Sequence, residues 1–99
     1  MPLFLINARD KAGATELRLA NLQAHLEWAG ESSHRIAMAG PVLTDDGKTM
    51  IGSTFVIEFD SLDEAKAWAA QDPYAKAGVF GQTEIRPFLW VIGDGPSDG

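Results

Sequence analysis

The sequence predicts an α+β fold with the element order β-α-β-β-α-β. Two observations predict it. The spacing of the apolar residues changes along the chain from strand-like to helical and back, in that order. The chain has 99 residues, which is the length of a single domain. This order is typical of the ferredoxin-like arrangement, in which helices cover one face of a four-stranded antiparallel sheet.

The first strand and the first helix differ in the spacing of their apolar residues. Residues 3–6 form a continuous apolar run, which predicts a strand that is buried on both faces. Residues 15–29 repeat apolar side chains at steps of three and four, which predicts a helix with Thr15 as N-cap and an end at Gly30. We expect its core face to consist of Leu19, Leu22, Leu26 and Ala29.

The second and third strands are predicted to form a hairpin. Residues 34–42 alternate until Gly40 and Pro41, which mark a kink or a strand end. Residues 44–48 are a polar turn cluster of the kind that joins antiparallel strands. Residues 51–60 form the clearest strand, and one of its faces carries Phe55, Ile57 and Phe59.

The second helical segment begins with a capping signal. Residues 61–64 read Ser-Leu-Asp-Glu, which fits a capping box and predicts a helix that ends near Gln71. Asp72 followed by Pro73 indicates the start of a second, short helix, because Asp is a good cap and Pro fits the first helical position. Gly78 is expected to end it.

The last strand is predicted at residues 81–92, and its two faces are apolar, like those of the first strand. Two helices cover only one face of the sheet, so we expect a homodimer with face-to-face sheets, the dimeric α+β barrel. The alternative is a monomer in which the C-terminal tail covers the open face. We place the domain at residues 1–92 and predict that the Gly- and Asp-rich residues 93–99 are a disordered acidic tail.

Composition excludes several classes of partner and chemistry. Eight Lys and Arg against fourteen Asp and Glu give a net charge of −6, and the basic residues are scattered, which argues against nucleic acid and anionic membranes. No apolar stretch reaches the roughly 20 residues of a membrane span, and residues 3–6 are too few for a signal peptide core. We therefore expect a cytoplasmic protein. The absence of cysteine and the spacing of His25 and His34 argue against a metal site, and we expect no cofactor.

One column of polar side chains on the first helix is the first candidate for a site. Arg18 and His25 are seven residues apart, which places them within roughly 20° on a helix, with Asn21 between them. Such a column can line a pocket for an anionic or carbonyl-bearing small molecule. The alternative is a solvent-exposed face on which Arg18 pairs with Glu16 or another nearby acid.

Each of the remaining candidates also has a purely structural explanation. Asp72 either only caps its helix, or it also meets His25 and holds one imidazole tautomer. Tyr74 adds a hydroxyl nearby. Asp10 follows the first strand, where it is either a pocket residue or a loop acid. Ser53, after Gly52, is either a hydroxyl beside the pocket or part of a bulge or close contact.

Several short motifs follow one another in a fixed order along the chain. They are Arg18 with His25-Leu26, Ala39-Gly40-Pro41, Gly52-Ser53-Thr54, Ser61-Leu62-Asp63-Glu64-Ala65, Trp68-Ala69, Asp72-Pro73-Tyr74, Ala77-Gly78-Val79-Phe80 and Ile85-Arg86-Pro87-Phe88. Among them, Asp-Pro-Tyr-x-x-Ala-Gly after a Glu-Ala-x-x-Trp helix is the most specific. With these motifs the chain resembles the YciI-like, or YCII-related, family over residues 2–92.

The resemblance implies a ferredoxin-like subunit in a dimeric barrel, with an active site built around a His and an Asp, here His25 and Asp72. It implies that Arg18, Asp10 and Ser53 are pocket neighbours. One branch of the family resembles dehydrochlorinases acting on hydroxyquinol-type aromatics, and the wider superfamily includes isomerases and small monooxygenases. We therefore expect a lyase or isomerase with a His–Asp general base. The alternatives are a ligand-binding domain without catalysis and a cofactor-free monooxygenase.

Overall fold

The computed structural model describes residues 2–94 and contains, within them, four strands and four helices around one sheet. The strand order is β2-β3-β1-β4, and all neighbouring strands are antiparallel. The ferredoxin-like α+β class is therefore confirmed. Residues 95–99 of the predicted tail lie outside the described part of the chain. The elements are β1 Leu3–Asp10, α1 Thr15–Ala20, α2 Leu22–Gly30, β2 Ile36–Leu43, β3 Met50–Glu58, α3 Leu62–Ala69, α4 Pro73–Ala77 and β4 Phe80–Phe88.

The main core lies between the helices and one face of the sheet. Along β1, Phe4 and Ile6 are buried while their neighbours are only half-buried, so one face of the strand packs against the helices. Phe55 and Ile57 of β3 pair with Ile6 and Phe4 and extend the same buried face. We call the opposite side of the sheet the open face. Its residues include Leu3, Leu5 and Asn7 of β1 and Glu84, Arg86 and Phe88 of β4.

The predicted first helix is two helices that meet at Asn21. The Asn21 side chain donates a hydrogen bond to the carbonyl oxygen of Leu17 (2.9 Å), and asparagine is prone to such bonds, which compete with regular helix. The expected N-cap is also wrong, because Thr15 is the first helical residue and the cap position is Ala14, which makes no side-chain cap bond.

The predicted core face of this segment is only half correct. Leu19 and Leu26 are each 54% exposed, whereas Arg18 is buried, with 2% of its surface exposed. The apolar repeat of this helical segment therefore lies at the edge of the core, and its residues are not fully buried. The physical reason is that Arg18 has a buried acidic partner, so a charged side chain takes the inward position next to Leu19.

The second half of the chain follows the predicted signals closely. The Ser61 hydroxyl accepts a hydrogen bond from the Glu64 backbone N–H (3.2 Å), and the Glu64 carboxylate accepts one from the Asp60 N–H (3.0 Å). This is a complete capping box. Helix α3 ends at Ala69, and α4 follows with Asp72 as its cap. Gly78 ends α4 in the left-handed conformation with φ of 84°.

The last strand is shorter than predicted. It ends at Phe88, which pairs with Leu3, the first residue of β1. Because β1 offers no partner beyond that point, the ladder stops there. Leu89, Val91 and Ile92 follow the strand and are 81%, 75% and 88% exposed. Within residues 2–94, no helix is long and apolar enough to cross a membrane.

Candidate functional site

A partly buried hydrogen bond joins the imidazole of His25, on α2, to the carboxylate of Asp72, the cap of α4. The distance between His25 Nδ1 and Asp72 Oδ1 is 2.8 Å, and the Asp72 side chain is 2% exposed. The contact between His25 and Asp72, which their spacing in the sequence could not establish, is therefore present in the structure. Because a carboxylate only accepts, Nδ1 carries the proton, and Nε2 is the nitrogen left to accept a further proton. The same Oδ1 accepts the backbone N–H of Tyr74 (2.9 Å), so one atom both caps α4 and orients the imidazole.

His25 lines a cavity of about 230 Å³ between the first helical segment and strands β2 and β3. Arg18, Ser53 and Tyr74 also line it, and they supply its other polar side chains. The remaining lining residues are apolar side chains or glycine, namely Leu22, Leu26, Ala29, Ala39, Gly40, Pro41, Met50 and Phe55. A mostly apolar cavity with a few convergent polar groups is the usual form of a small-molecule site.

The ring of Tyr74 contacts both His25 and Arg18. It stacks on the His25 imidazole, with ring centres 4.1 Å apart and planes inclined by 15°. The Arg18 guanidinium carbon lies 4.3 Å from the centre of the Tyr74 ring. The Tyr74 hydroxyl oxygen is buried and has no hydrogen-bond partner among the described residues. Burial raises the pKa of this hydroxyl, although the Arg18 charge opposes the rise. The hydroxyl is therefore a protonated donor at neutral pH.

Arg18 is held by two side chains from different strands. Its Nε and Nη2 donate to the two carboxylate oxygens of Asp10 (2.7 and 2.8 Å), and Nη2 also donates to the Ser53 hydroxyl (3.0 Å). Burial lowers the pKa of Arg18, but Asp10, with the nearby Tyr74 hydroxyl, outweighs this effect, so that the pKa lies above its ordinary value. The charge of Arg18 is thus paired within the protein, and the bidentate face suited to a ligand carboxylate is occupied.

Four of the sequence candidates line one cavity, namely His25, Arg18, Ser53 and Tyr74. Asp72 lies behind His25 and is joined to this group by its hydrogen bond to the imidazole. Asp10 lies behind Arg18 and lines a separate surface depression with the loop after β1. Asn21 does not join the predicted column, because the helix break turns its side chain back to Leu17 on the exposed surface.

The apolar wall of the cavity is the part that sequence reasoning assigned to the core instead. Leu22, Leu26 and Ala29 share a helical face with His25, and this shared face could have identified them as part of the cavity wall. Nothing in the sequence around Met50 indicates that it lines the cavity. Gly52 has a close-contact role, since a Cβ there would come within 2.5 Å of the Ala8 carbonyl oxygen. In the described part of the chain, no group of three or more His, Cys, Asp or Glu side chains is arranged to hold a metal ion.

Fold and site together define a ferredoxin-like α+β protein with a small apolar cavity whose wall carries a hydrogen-bonded His–Asp pair. The model of the YCII-related domain matches residues 2–89, so the chain belongs to the YCII-related family. It is 39% identical to the protein YciI of Escherichia coli O6:H1 over 97 residues, covering 91% of this chain and 99% of that protein. It is 36% identical to an uncharacterised Haemophilus influenzae protein over 96 residues, covering 90% and 98% of the two chains.

A solved structure with a bound ligand is also similar to this chain. It is 5-chloro-2-hydroxyhydroquinone dehydrochlorinase, TftG, from Burkholderia phenoliruptrix AC1100 in complex with 2,5-dihydroxybenzoquinone. The sequence identity is 35%, the TM-score is 0.80, and the match covers 92% of this chain and 95% of TftG.

Proposed function

We propose that this protein is a small cofactor-independent lyase or isomerase that acts on a small hydroxylated or carbonyl-bearing ring. One observation carries the proposal: the hydrogen bond between His25 Nδ1 and the Asp72 carboxylate, 2.8 Å long, beside a cavity that His25 lines. A carboxylate that fixes the tautomer of an imidazole and stabilises its protonated form makes it an effective general base. The kinship with TftG, a dehydrochlorinase by name, supports the same class of chemistry.

In the proposed step, His25 Nε2 accepts a proton from the bound ring. The electron pair of the broken bond forms a new double bond, and in an elimination the leaving group departs as an anion with its own bonding pair. Asp72 balances the positive charge on the imidazolium. For a dehydrochlorinase-like reaction, the anion is chloride, and the products are HCl and the unsaturated ring.

The other polar side chains of the cavity take supporting roles in this proposal. The Tyr74 hydroxyl, buried without a partner among the described residues, donates a hydrogen bond to an oxygen of the ring where negative charge develops. The hydroxyl of Ser53 is a second donor on the same wall. Arg18 orients Tyr74 and Ser53 rather than binding a substrate carboxylate, because two of its nitrogens are already bonded to Asp10.

The test is turnover of 5-chloro-2-hydroxyhydroquinone, measured as chloride release and by analysis of the organic product. His25→Gln keeps an amide donor for Asp72 but provides no base, so we expect kcat/KM to fall by about 100-fold or more. His34→Gln is the matched control, since His34 is the other histidine of the chain and is exposed; it should leave turnover unchanged.

Three results would contradict the proposal. Ligand binding without any product would identify a non-catalytic binding domain. Oxygen consumption in step with product would identify a monooxygenase. Full turnover by His25→Gln would remove the imidazole from the mechanism.

A further inference from the structure

A second cavity lies on the other side of the His25–Asp72 pair. We call the cavity that His25 lines the front cavity. The rear cavity has a volume of about 220 Å³ and lies between helices α3 and α4 and strands β1 and β4. Asp72 lines the rear cavity but not the front one, and His25 lines only the front one. The hydrogen-bonded pair therefore separates two spaces of similar size, and Phe55 contributes to the walls of both.

The two oxygens of the Asp72 carboxylate differ in their hydrogen bonds. Both hydrogen bonds to this carboxylate, from His25 Nδ1 and from the Tyr74 backbone N–H, go to Oδ1. Oδ2 accepts no hydrogen bond from the described residues, although the Asp72 side chain is only 2% exposed. A carboxylate oxygen without a donor from the protein is free to accept a hydrogen bond from a ligand. Since Asp72 borders the rear cavity, that cavity is where a donor can reach Oδ2.

The residues that line the rear cavity indicate the size, polarity and charge of a ligand that would fit there. Ile6, Phe80 and Ile85 supply apolar surface, and a cavity of about 150 Å³ with such walls already holds a benzene ring. Lys66, an exposed residue, and Thr83 are the polar residues at this site besides Asp72. The Lys66 ammonium disfavours a cationic ligand, while the Asp72 carboxylate disfavours an anionic one.

We propose that the rear cavity binds a neutral, single-ring molecule whose hydroxyl group donates a hydrogen bond to Asp72 Oδ2. Such a bond stabilises the negative charge of the carboxylate, which makes it less basic and weakens its hydrogen bond to His25 Nδ1. The rear ligand thereby acts as a regulator of the base in the front cavity. Binding at the rear stands on its own geometry, whereas its regulatory effect rests on the proposed function.

Phenol and toluene are matched probes for this site, because they have the same ring and only phenol has a donor. In an NMR titration, both should shift the backbone amides of Ala69, Ala75 and Thr83, which line the rear cavity. Only phenol should also move the Nδ1 proton resonance of His25. The amides of Ala39 and Gly40 report binding in the front cavity independently.

Two filling variants complete the test. Ala69→Leu places a larger side chain into the rear cavity, and Ala39→Leu does the same in the front one. We expect Ala69→Leu to weaken the rear binding of phenol at least tenfold, and Ala39→Leu to leave it unchanged. Phenol shifts at the front amides alone would overturn the inference, as would rear shifts that persist in Ala69→Leu. If a variant fails to fold, the wild-type shifts still decide.

The rear site and the proposed function fail separately. If phenol binds in the rear cavity and moves the His25 Nδ1 proton resonance, but the protein shows no turnover, the proposed function is contradicted and the rear site is supported. Turnover without any chemical-shift change at the amides of the rear cavity contradicts the rear site and leaves the proposed enzyme unaffected.

Discussion

At the scale of the residue, Tyr74 is the side chain whose structural and functional explanations differ most. Its ring is 1% exposed and contacts His25 and Arg18, so packing accounts for the aromatic group. Packing does not account for the hydroxyl, which is buried without a hydrogen bond in the described structure and therefore lowers stability. Because Tyr74 lines the front cavity, we expect a ligand bound there to accept this hydrogen bond.

Tyr74→Phe tests that explanation, because it removes only the oxygen. We expect the free energy of unfolding to stay the same or to rise by about 1 kcal/mol, since an unsatisfied group is lost. We expect kcat/KM to fall by about 100-fold, since a donor to developing charge is lost. Urea denaturation followed by tryptophan fluorescence and steady-state kinetics measure the two effects. A loss of stability together with full activity would make the hydroxyl structural.

The raised pKa of Tyr74 predicts how stability changes at alkaline pH. Folded Tyr74 holds its proton above the ordinary pKa of about 10. This group therefore adds no pH dependence to the free energy of unfolding below about pH 10, and that free energy falls as pH rises from there to the folded pKa. Tyr74 is the only tyrosine of the chain, so tyrosinate absorbance reports it directly. The absorbance should appear at higher pH in the native protein than in urea, and coincident titrations would contradict the prediction.

At the scale of the element, Asp72 combines a helix cap with the orientation of His25. Asp72→Asn keeps an oxygen that accepts from the Tyr74 N–H and from His25 Nδ1, so we expect stability within about 1 kcal/mol of wild type. It removes the negative charge opposite the imidazolium, so turnover should fall by about 100-fold or more. Asp72→Ala also removes the cap and should lose a further ~1 kcal/mol of stability. Thermal unfolding and kinetics separate the two roles, and equal turnover by Asp72→Asn and wild type would leave Asp72 as a cap only.

The two helical segments show what local pattern can and cannot predict. The capping box at Ser61 and the Asp72-Pro73 start depend on neighbouring residues, and both are present as predicted. The orientation of the first segment depends on Asp10, eight residues before Arg18, and on Ser53, thirty-five residues after it. No helical repeat contains that information. The repeat therefore assigned Leu19 to the core, where the structure buries Arg18.

At the scale of the whole molecule, the topology was predictable because each connection is short and each segment has an apolar pattern typical of a strand or of a helix. The site was only partly predictable, because its residues are far apart in the sequence. His25 and Asp72 are 47 residues apart, and the cavity beside them exists because helices and strands that are remote in sequence pack without filling the space. The motifs of the YCII-related family located both residues, but the distance between them follows from tertiary packing alone.

The open face of the sheet leads to the last prediction, which concerns assembly. Leu5 lies there at the centre of the sheet, and Glu84 and Arg86 are two residues apart on the same face of β4. A second copy related by a twofold axis can pair Glu84 with Arg86 of its partner while it covers Leu3, Leu5 and Phe88 of the same face, and such self-complementarity is what a symmetric dimer requires. We therefore expect a homodimer with face-to-face sheets that buries about 1,200–2,000 Å².

Two substitutions of similar exposure distinguish this face from the rest of the surface. Met38, which pairs with Val56 next to Leu5, is 48% exposed, and Leu19 on α1 is 54% exposed. Met38→Asp introduces a charge on the open face, so we expect the dimer dissociation constant to rise at least tenfold. Leu19→Asp introduces the same charge on the helical side and should leave that constant unchanged. Sedimentation equilibrium measures both values, and a monomeric wild type, or equal effects of the two substitutions, would show that the sheets do not meet face to face.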